Sequence, residues 1–172
     1  MCRHQIVCMA AFICSLAFPA LCIAQNNSGV SVLVRQQRSS AGEVVYHYTV
    51  VNRDKRKIVA IDIGRDEEHD RSELTELPIG WTFDEGLPAT SATSPPGWEV
   101  MLITNEESQY FDIEWRTGDA TAIPRGGKKT GYSVILSKPH PQYMNSHFTV
   151  FFSDATTATG TLRAEQTHPA KH

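Results

Sequence analysis

Asp66-Glu67-Glu68-His69-Asp70 puts four carboxylates and one imidazole into a single short segment. Oxygen-rich loops of this kind hold calcium, which gathers about six to eight oxygens around one point. The order here lacks the alternating ligand spacing and the central glycine of the known calcium loop. The run therefore reads as a solvated acidic loop. No metal is assigned, and Asp66, Glu67, Glu68 and Asp70 stand only as weak candidates.

Asp112 and Glu114 alternate with Phe111, Ile113 and Trp115, so they share one strand face. Paired carboxylates do acid/base work in glycosidases, where one of them has a raised pKa. Those pairs come from different elements across a cleft, so two acids on one outward strand face read as plain surface. The histidines are scattered: His47 lies between Tyr46 and Tyr48, His140 between two prolines, and His147 opens a strand. No H-E-x-x-H run and no G-x-S-x-G elbow occurs. Gly126-Gly127-Lys128-Lys129-Thr130 lacks the leading glycine of a phosphate loop and reads as a turn. No catalytic residue and no cofactor are assigned, and the chain reads as non-enzymatic. Asp112, Glu114, His69 and His147 are weak candidates for an alternative reading as a small hydrolase.

A doubled aromatic motif offers a different chemistry. Pro78-Ile79-Gly80-Trp81 recurs as Pro95-Pro96-Gly97-Trp98. Exposed, the two indoles would make a stacking platform for a sugar ring or a peptide. Buried, they would plug the ends of a core. Trp81 and Trp98, delivered by Gly80 and Gly97, are the binding candidates. Two basic turns, Arg53-Lys57 and Arg125-Lys129, could face an anionic lipid or polysaccharide. Charged turns that keep strand edges soluble are the simpler reading.

The elements that must position these groups are short strands. Val44, Tyr46, Tyr48 and Val50 alternate with Val45, His47, Thr49 and Val51, and Val59, Ile61 and Ile63 repeat the pattern after a polar turn. Together they suggest a hairpin. Phe111-Ile113-Trp115, Tyr132-Val134-Leu136 and Phe148-Val150-Phe152 mark three further strands. Gly29-Gln37, Gly97-Thr104 and Thr157-Glu165 complete the set. Ser91-Pro96 reads as a long inter-strand loop, and the best helical candidate is Glu67-Leu77. Seven or eight strands with regular turns predict an all-β, two-sheet antiparallel sandwich.

The 172 residues suffice for one domain, and 41% hydrophobic against 20% charged residues excludes wholesale disorder. A net charge of −3 gives no basic face for nucleic acid. Residues 1–24 have the layout of a secretory signal peptide: Arg3, an apolar run from Ile6 to Ala17, then Pro19 and Cys22-Ile23-Ala24. The apolar run is too short for a membrane span, so no transmembrane anchor is expected after cleavage. The expected organisation is a signal peptide at 1–24, one domain at 25–167 and a polar tail at 168–172, in a secreted or periplasmic protein.

The strand Val45-Tyr46-His47-Tyr48-Thr49-Val50-Val51-Asn52, followed by Ile58-Ile63, resembles those of bacterial immunoglobulin-like and fibronectin-like modules. Ile123-Pro124-Arg125-Gly126-Gly127 leading into Gly131-Tyr132-Ser133-Val134 is similar to their proline-glycine turn. The resemblance covers about half of the chain beyond residue 24 and implies a sandwich in an extracellular setting. It carries over no functional residue, because such modules share none. The expected function is a binding or interaction module acting through loops, with an unknown protein or polysaccharide as partner. A carbohydrate-binding module is the alternative.

All four cysteines, Cys2, Cys8, Cys14 and Cys22, precede residue 25. The processed protein is expected to show no reactive thiol and to melt at the same temperature with and without reductant. Reductant-sensitive melting would contradict cleavage near Ala24.

Overall fold

The structure, a computed structural model, describes residues 29–84, 91–107 and 109–166. The expected signal peptide with its cysteines, and the tail at 168–172, lie outside these residues. In chain order the strands are β1 (Val30–Arg38), β2 (Val44–Asn52), β3 (Ile58–Ile63), β4 (Arg65–Asp66), β5 (Arg71–Ser72), β6 (Ala92–Thr93), β7 (Trp98–Asn105), β8 (Tyr110–Thr117), β9 (Lys128–Leu136), β10 (His147–Phe152), β11 (Thr157–Thr161) and β12 (Arg163–Ala164). A single helical turn, α1 (Gln142–Asn145), joins β9 to β10.

Period-two burial places these strands. Val30, Val32 and Val34 of β1, Val44, Tyr46, Tyr48 and Val50 of β2, and Tyr132, Val134 and Leu136 of β9 are all buried. Facing them are Ile61 and Ile63 of β3, Phe111, Ile113 and Trp115 of β8, and Phe148, Val150 and Phe152 of β10. The result is two five-stranded sheets, ordered β12-β1-β2-β9-β6 and β11-β10-β3-β8-β7, with a separate two-stranded ribbon β4-β5. Neighbouring strands run antiparallel except at one edge, where β12 lies parallel to β1. The all-β, two-sheet sandwich predicted from alternation is the architecture observed.

Three local expectations are corrected. β2 and β3 are not a hairpin, because β2 pairs with β1 and β9 while β3 pairs with β8 and β10. The turn between them carries the chain from one sheet to the other. Asn52, fully buried, holds that corner by donating its side-chain amide to the carbonyls of Arg56 (2.8 Å) and Ile123 (3.0 Å). The final strand likewise splits: β11 belongs to the second sheet and β12 to the first, with Leu162 hydrogen-bonded to the Ser146 carbonyl between them. The third correction is Glu67-Leu77, which forms no helix. Asp70 turns the chain with φ 47° and Arg71 pairs back onto Asp66.

Gly64 controls how β3 passes into the ribbon. Its φ of +99° lies where side chains are strained, and a Cβ there would stand 2.4 Å from Leu74 Cγ. Its N–H donates to the His147 carbonyl and its carbonyl accepts from the Glu73 N–H. Replacing Gly64 with Ala is expected to cost about 2–4 kcal/mol through strain and overpacking. The measurement is a lower urea midpoint at unchanged slope.

Candidate functional site

A strand that buries alternate residues must turn the others outward. On the second sheet this sends Asp62 of β3, Asp112 and Glu114 of β8 and Thr149 of β10 to the outer face. In register, Asp62 stands opposite both Glu114 and Thr149, and Asp112 is two residues from Glu114 on the same face. The β4-β5 ribbon, which leaves β3 at Gly64, lies against part of this face. The Thr149 hydroxyl donates to the Arg65 carbonyl at 3.4 Å, and the Ser72 hydroxyl to the Phe111 carbonyl at 2.6 Å. Asp62 and Thr149 are consequently 0% exposed and Asp112 6%, although their strand face is not the core face.

An ion network clamps the ribbon down. Asp66, 2% exposed, has His69 Nδ1 at 2.6 Å and accepts from Arg71 Nε at 3.3 Å on the same oxygen. Glu73 accepts from the His147 backbone N–H at 3.0 Å and lies 2.9 Å from its Nδ1. Arg71 Nη2 stands 3.8 Å from Glu73. One ligand atom each from Asp66, Glu73 and His147 falls within 4.8 Å of the others, a donor set able to hold a divalent metal. The Arg71 guanidinium, which reaches both carboxylates, already supplies positive charge there. Burial alone would raise the Asp66 pKa, but the His69 hydrogen bond, the His147 and His69 charges and Arg71 together hold it below the usual carboxylate range. The other acids of the run do not join this cluster. Glu67 pairs with Arg65 at 2.8 Å, Asp70 points to solvent with Arg65 at 4.0 Å, and Glu68 is exposed.

Asp62 and Asp112 make a second, different group. Among the described residues, neither oxygen of Asp62 has a hydrogen-bond partner, and Asp112 Oδ1 has none. Burial raises the Asp62 pKa well above normal, with Asp112 and Glu114 adding repulsion. Burial also pushes Asp112 up to about 6, against the pull of Ser72 and Arg65. Their alternation predicts plain surface for Asp112 and Glu114, yet the ribbon covers Asp112 and leaves Glu114 half-buried. Sequence reasoning passed over Asp62 altogether. The available signal was an aspartate inside the otherwise apolar run Ile58-Ile63.

Next to this group is a groove. A cavity of about 470 Å³ is lined by Arg71, Ser72, Tyr110, Gln142 and Asn145, among others. A second, of about 420 Å³, is lined by Arg65, Arg71, Ser72, Ile103, Tyr110 and Asp112, among others. The two share Arg71, Ser72 and Tyr110, so they adjoin. Tyr110, 41% exposed, is the large hydrophobic side chain left open among the described residues.

The doubled aromatic motif is realised as a doubled turn. Trp81 N–H donates to the Pro78 carbonyl and Trp98 N–H to that of Pro95, with Gly80 and Gly97 at φ 77° and 78°. Glycine at that third position is what a type II turn needs. Both indoles are only 5% exposed, and Trp98 Nε1 donates to the Thr121 carbonyl. Of the two placements open to Trp81 and Trp98, the structure has the buried one: the turns deliver them to the core. The two basic turns meet, joined by hydrogen bonds between Asn52 and Gly126-Gly127. Within them Arg56 is fixed on Asp54 and over the Phe152 ring at 3.7 Å.

No family model and no curated protein matches the chain. Among solved structures it is similar to an uncharacterized protein from Nocardia farcinica with an immunoglobulin-like fold. The two are 16% identical over 75% of this chain and 82% of that one, with a TM-score of 0.49.

The buried acids set the sign of a pH effect. Asp62 faces Asp112 and Glu114 from β8, Arg65 and Glu67 from the ribbon, and the uncharged Thr149 from β10. From about pH 4 up through the Asp112 value of about 6 the unfolded chain has released protons that the folded pair still holds, so stability falls as pH rises. Asp66 has the opposite slope, which acts as pH falls below the ordinary carboxylate pKa of about 4. In chelator-containing buffer, Asp62→Asn is expected to gain about 1–3 kcal/mol over the parent at pH 8. The gain should shrink toward pH 4, and urea melts across this range check both.

Proposed function

We propose that the chain is a secreted, non-enzymatic binding module that takes an extended segment of another protein along the groove beside Tyr110. The observation that carries this reading is the pair of adjoining cavities sharing Tyr110, Arg71 and Ser72. Tyrosine and arginine dominate interface hot spots because they bring large contact area together with directed hydrogen bonds. The lining also includes the amides of Gln142 and Asn145 and the hydroxyl of Thr75, which donates to the Gln142 amide oxygen at 3.2 Å. Such groups suit a peptide main chain.

The walls are held from behind. Tyr143 of α1 is fully buried, donates its hydroxyl to the Glu76 carbonyl and packs at a tilt with its ring 5.1 Å from that of Tyr46. A rigid wall lowers the ordering cost of binding. The apolar run Ile6-Ala17 followed by Ala24 supports export. Among the described residues no helix is long and apolar enough to cross a membrane. The carbohydrate reading loses its platform, since Trp81 and Trp98 are buried.

Selection from a displayed random-peptide library tests the proposal. Enriched peptides should lose at least about tenfold in affinity against Tyr110→Ala and Arg71→Ala. The melting temperature of the exposed Tyr110→Ala variant should barely move, as for most surface changes of about 0.5 kcal/mol or less. Binding on a glycan array without peptide enrichment would overturn it.

A further inference from the structure

We infer that the covered face between β3 and β8 is a binding site for a divalent cation of the calcium class, held by the carboxylates of Asp62 and Asp112. The inference does not depend on what the Tyr110 groove binds.

Among the described residues, three carboxylate oxygens in this place have no hydrogen-bond partner: both of Asp62 and Oδ1 of Asp112. Both residues are more than nine-tenths buried, at 0% and 6% exposure. Native proteins seldom leave buried polar atoms unsatisfied, and an ion is one of the standard explanations. Asp112 also lines the cavity of about 420 Å³, so the face is reachable from solvent. The nearest cation does not complete the group. Arg65 spends its guanidinium on Glu67 at 2.8 Å and Asp70 at 4.0 Å. Among the described residues no ion pair reaches Asp62 or Asp112 within 4.0 Å.

Two species could neutralise such a pair. A proton shared between two carboxyls serves one donor and one acceptor oxygen, and so leaves one of the three oxygens empty. A cation that collects several oxygens serves them all. The donors are hard oxygens, with neither imidazole nor thiolate among them. That selects calcium or magnesium over zinc or copper. Calcium tolerates irregular geometry and varied carboxylate contacts, whereas magnesium demands a near-ideal octahedron. A site built from two neighbouring strands and closed by a ribbon fits the more tolerant ion. The ribbon network of Asp66, Glu73 and His147 is a separate donor set, already engaged with Arg71.

The test is thermal unfolding of the full, chelator-treated protein at pH 7.5 with calcium, magnesium or zinc, together with calorimetric titration of calcium. Calcium is expected to raise the melting temperature saturably, by about 5 °C or more at about 100 times its Kd. Asp62→Asn and Asp112→Asn are near-isosteric and remove a repulsive buried charge, so both should fold without the ion. Each should lose the calcium shift and at least about tenfold in affinity. Tyr110→Ala should keep the shift, which separates this site from the groove. The inference is overturned by no response to any of the three ions. It is equally overturned by a calcium shift that survives Asp112→Asn. A shift seen with zinc alone and lost in His147→Gln would also overturn it and place the metal on the ribbon network.

Discussion

The two sheets close on one aromatic interlock. Trp115, from the second sheet, packs 5.8 Å from Tyr48 and 5.6 Å from Tyr132, both of the first. Trp98 extends the cluster edge-to-face, 5.3 Å from Tyr132. The one polar atom of the Trp115 indole donates to the Thr93 carbonyl on β6 at 3.0 Å, so the ring is satisfied by the sheet it packs against. The tyrosine hydroxyls are not so placed: those of Tyr48 and Tyr132 are buried without a partner among the described residues. An unpaired buried hydroxyl costs about 1–3 kcal/mol. Burying about 200 Å² of ring at about 25 cal/mol/Å² contributes about 5 kcal/mol, so the packing wins.

The outer face follows from that interlock. Because Ile61, Ile63, Ile113 and Trp115 face the core, their neighbours Asp62, Asp112 and Glu114 face outward. An exposed acidic face would be unremarkable in energy. Here the chain doubles back at Gly64 and lays β4-β5 across part of it, tied by Thr149, Ser72 and the Asp66 network. The ribbon thus turns surface acids into desolvated ones, and their raised pKa values are a consequence of backbone routing. The same ribbon gives the groove one of its walls through Arg71 and Ser72.

Connectivity shows how local readings fail. The polar run Asn52-Lys57 has the composition of a hairpin turn, yet its strands lie in different sheets. Turn residues allow reversal without naming the partner strand; the buried Asn52 amide, bonded to Ile123 far along the chain, decides it. The doubled Pro-x-Gly-Trp motif was legible as a doubled turn for a local reason, the φ > 0 that glycine supplies. Where the indoles point was not legible, because that depends on the sheet beneath each turn.

Sequence by itself determined the strands and their inward faces, since period-two alternation is a property of a single strand and needs no partner. It also confined every cysteine to the first 24 residues, so the domain has to hold together by packing and hydrogen bonding. Only the tertiary structure decided which strands share a sheet, that Trp81 and Trp98 are core, and that Asp62 and Asp112 are buried. Each of these turns on what covers a surface, and the covering segment comes from elsewhere in the chain. Alternation says which residues face away from the core but not whether water reaches them. For Asp112 the covering ribbon, tied down by the Ser72 hydroxyl on the Phe111 carbonyl, comes from forty or more residues upstream.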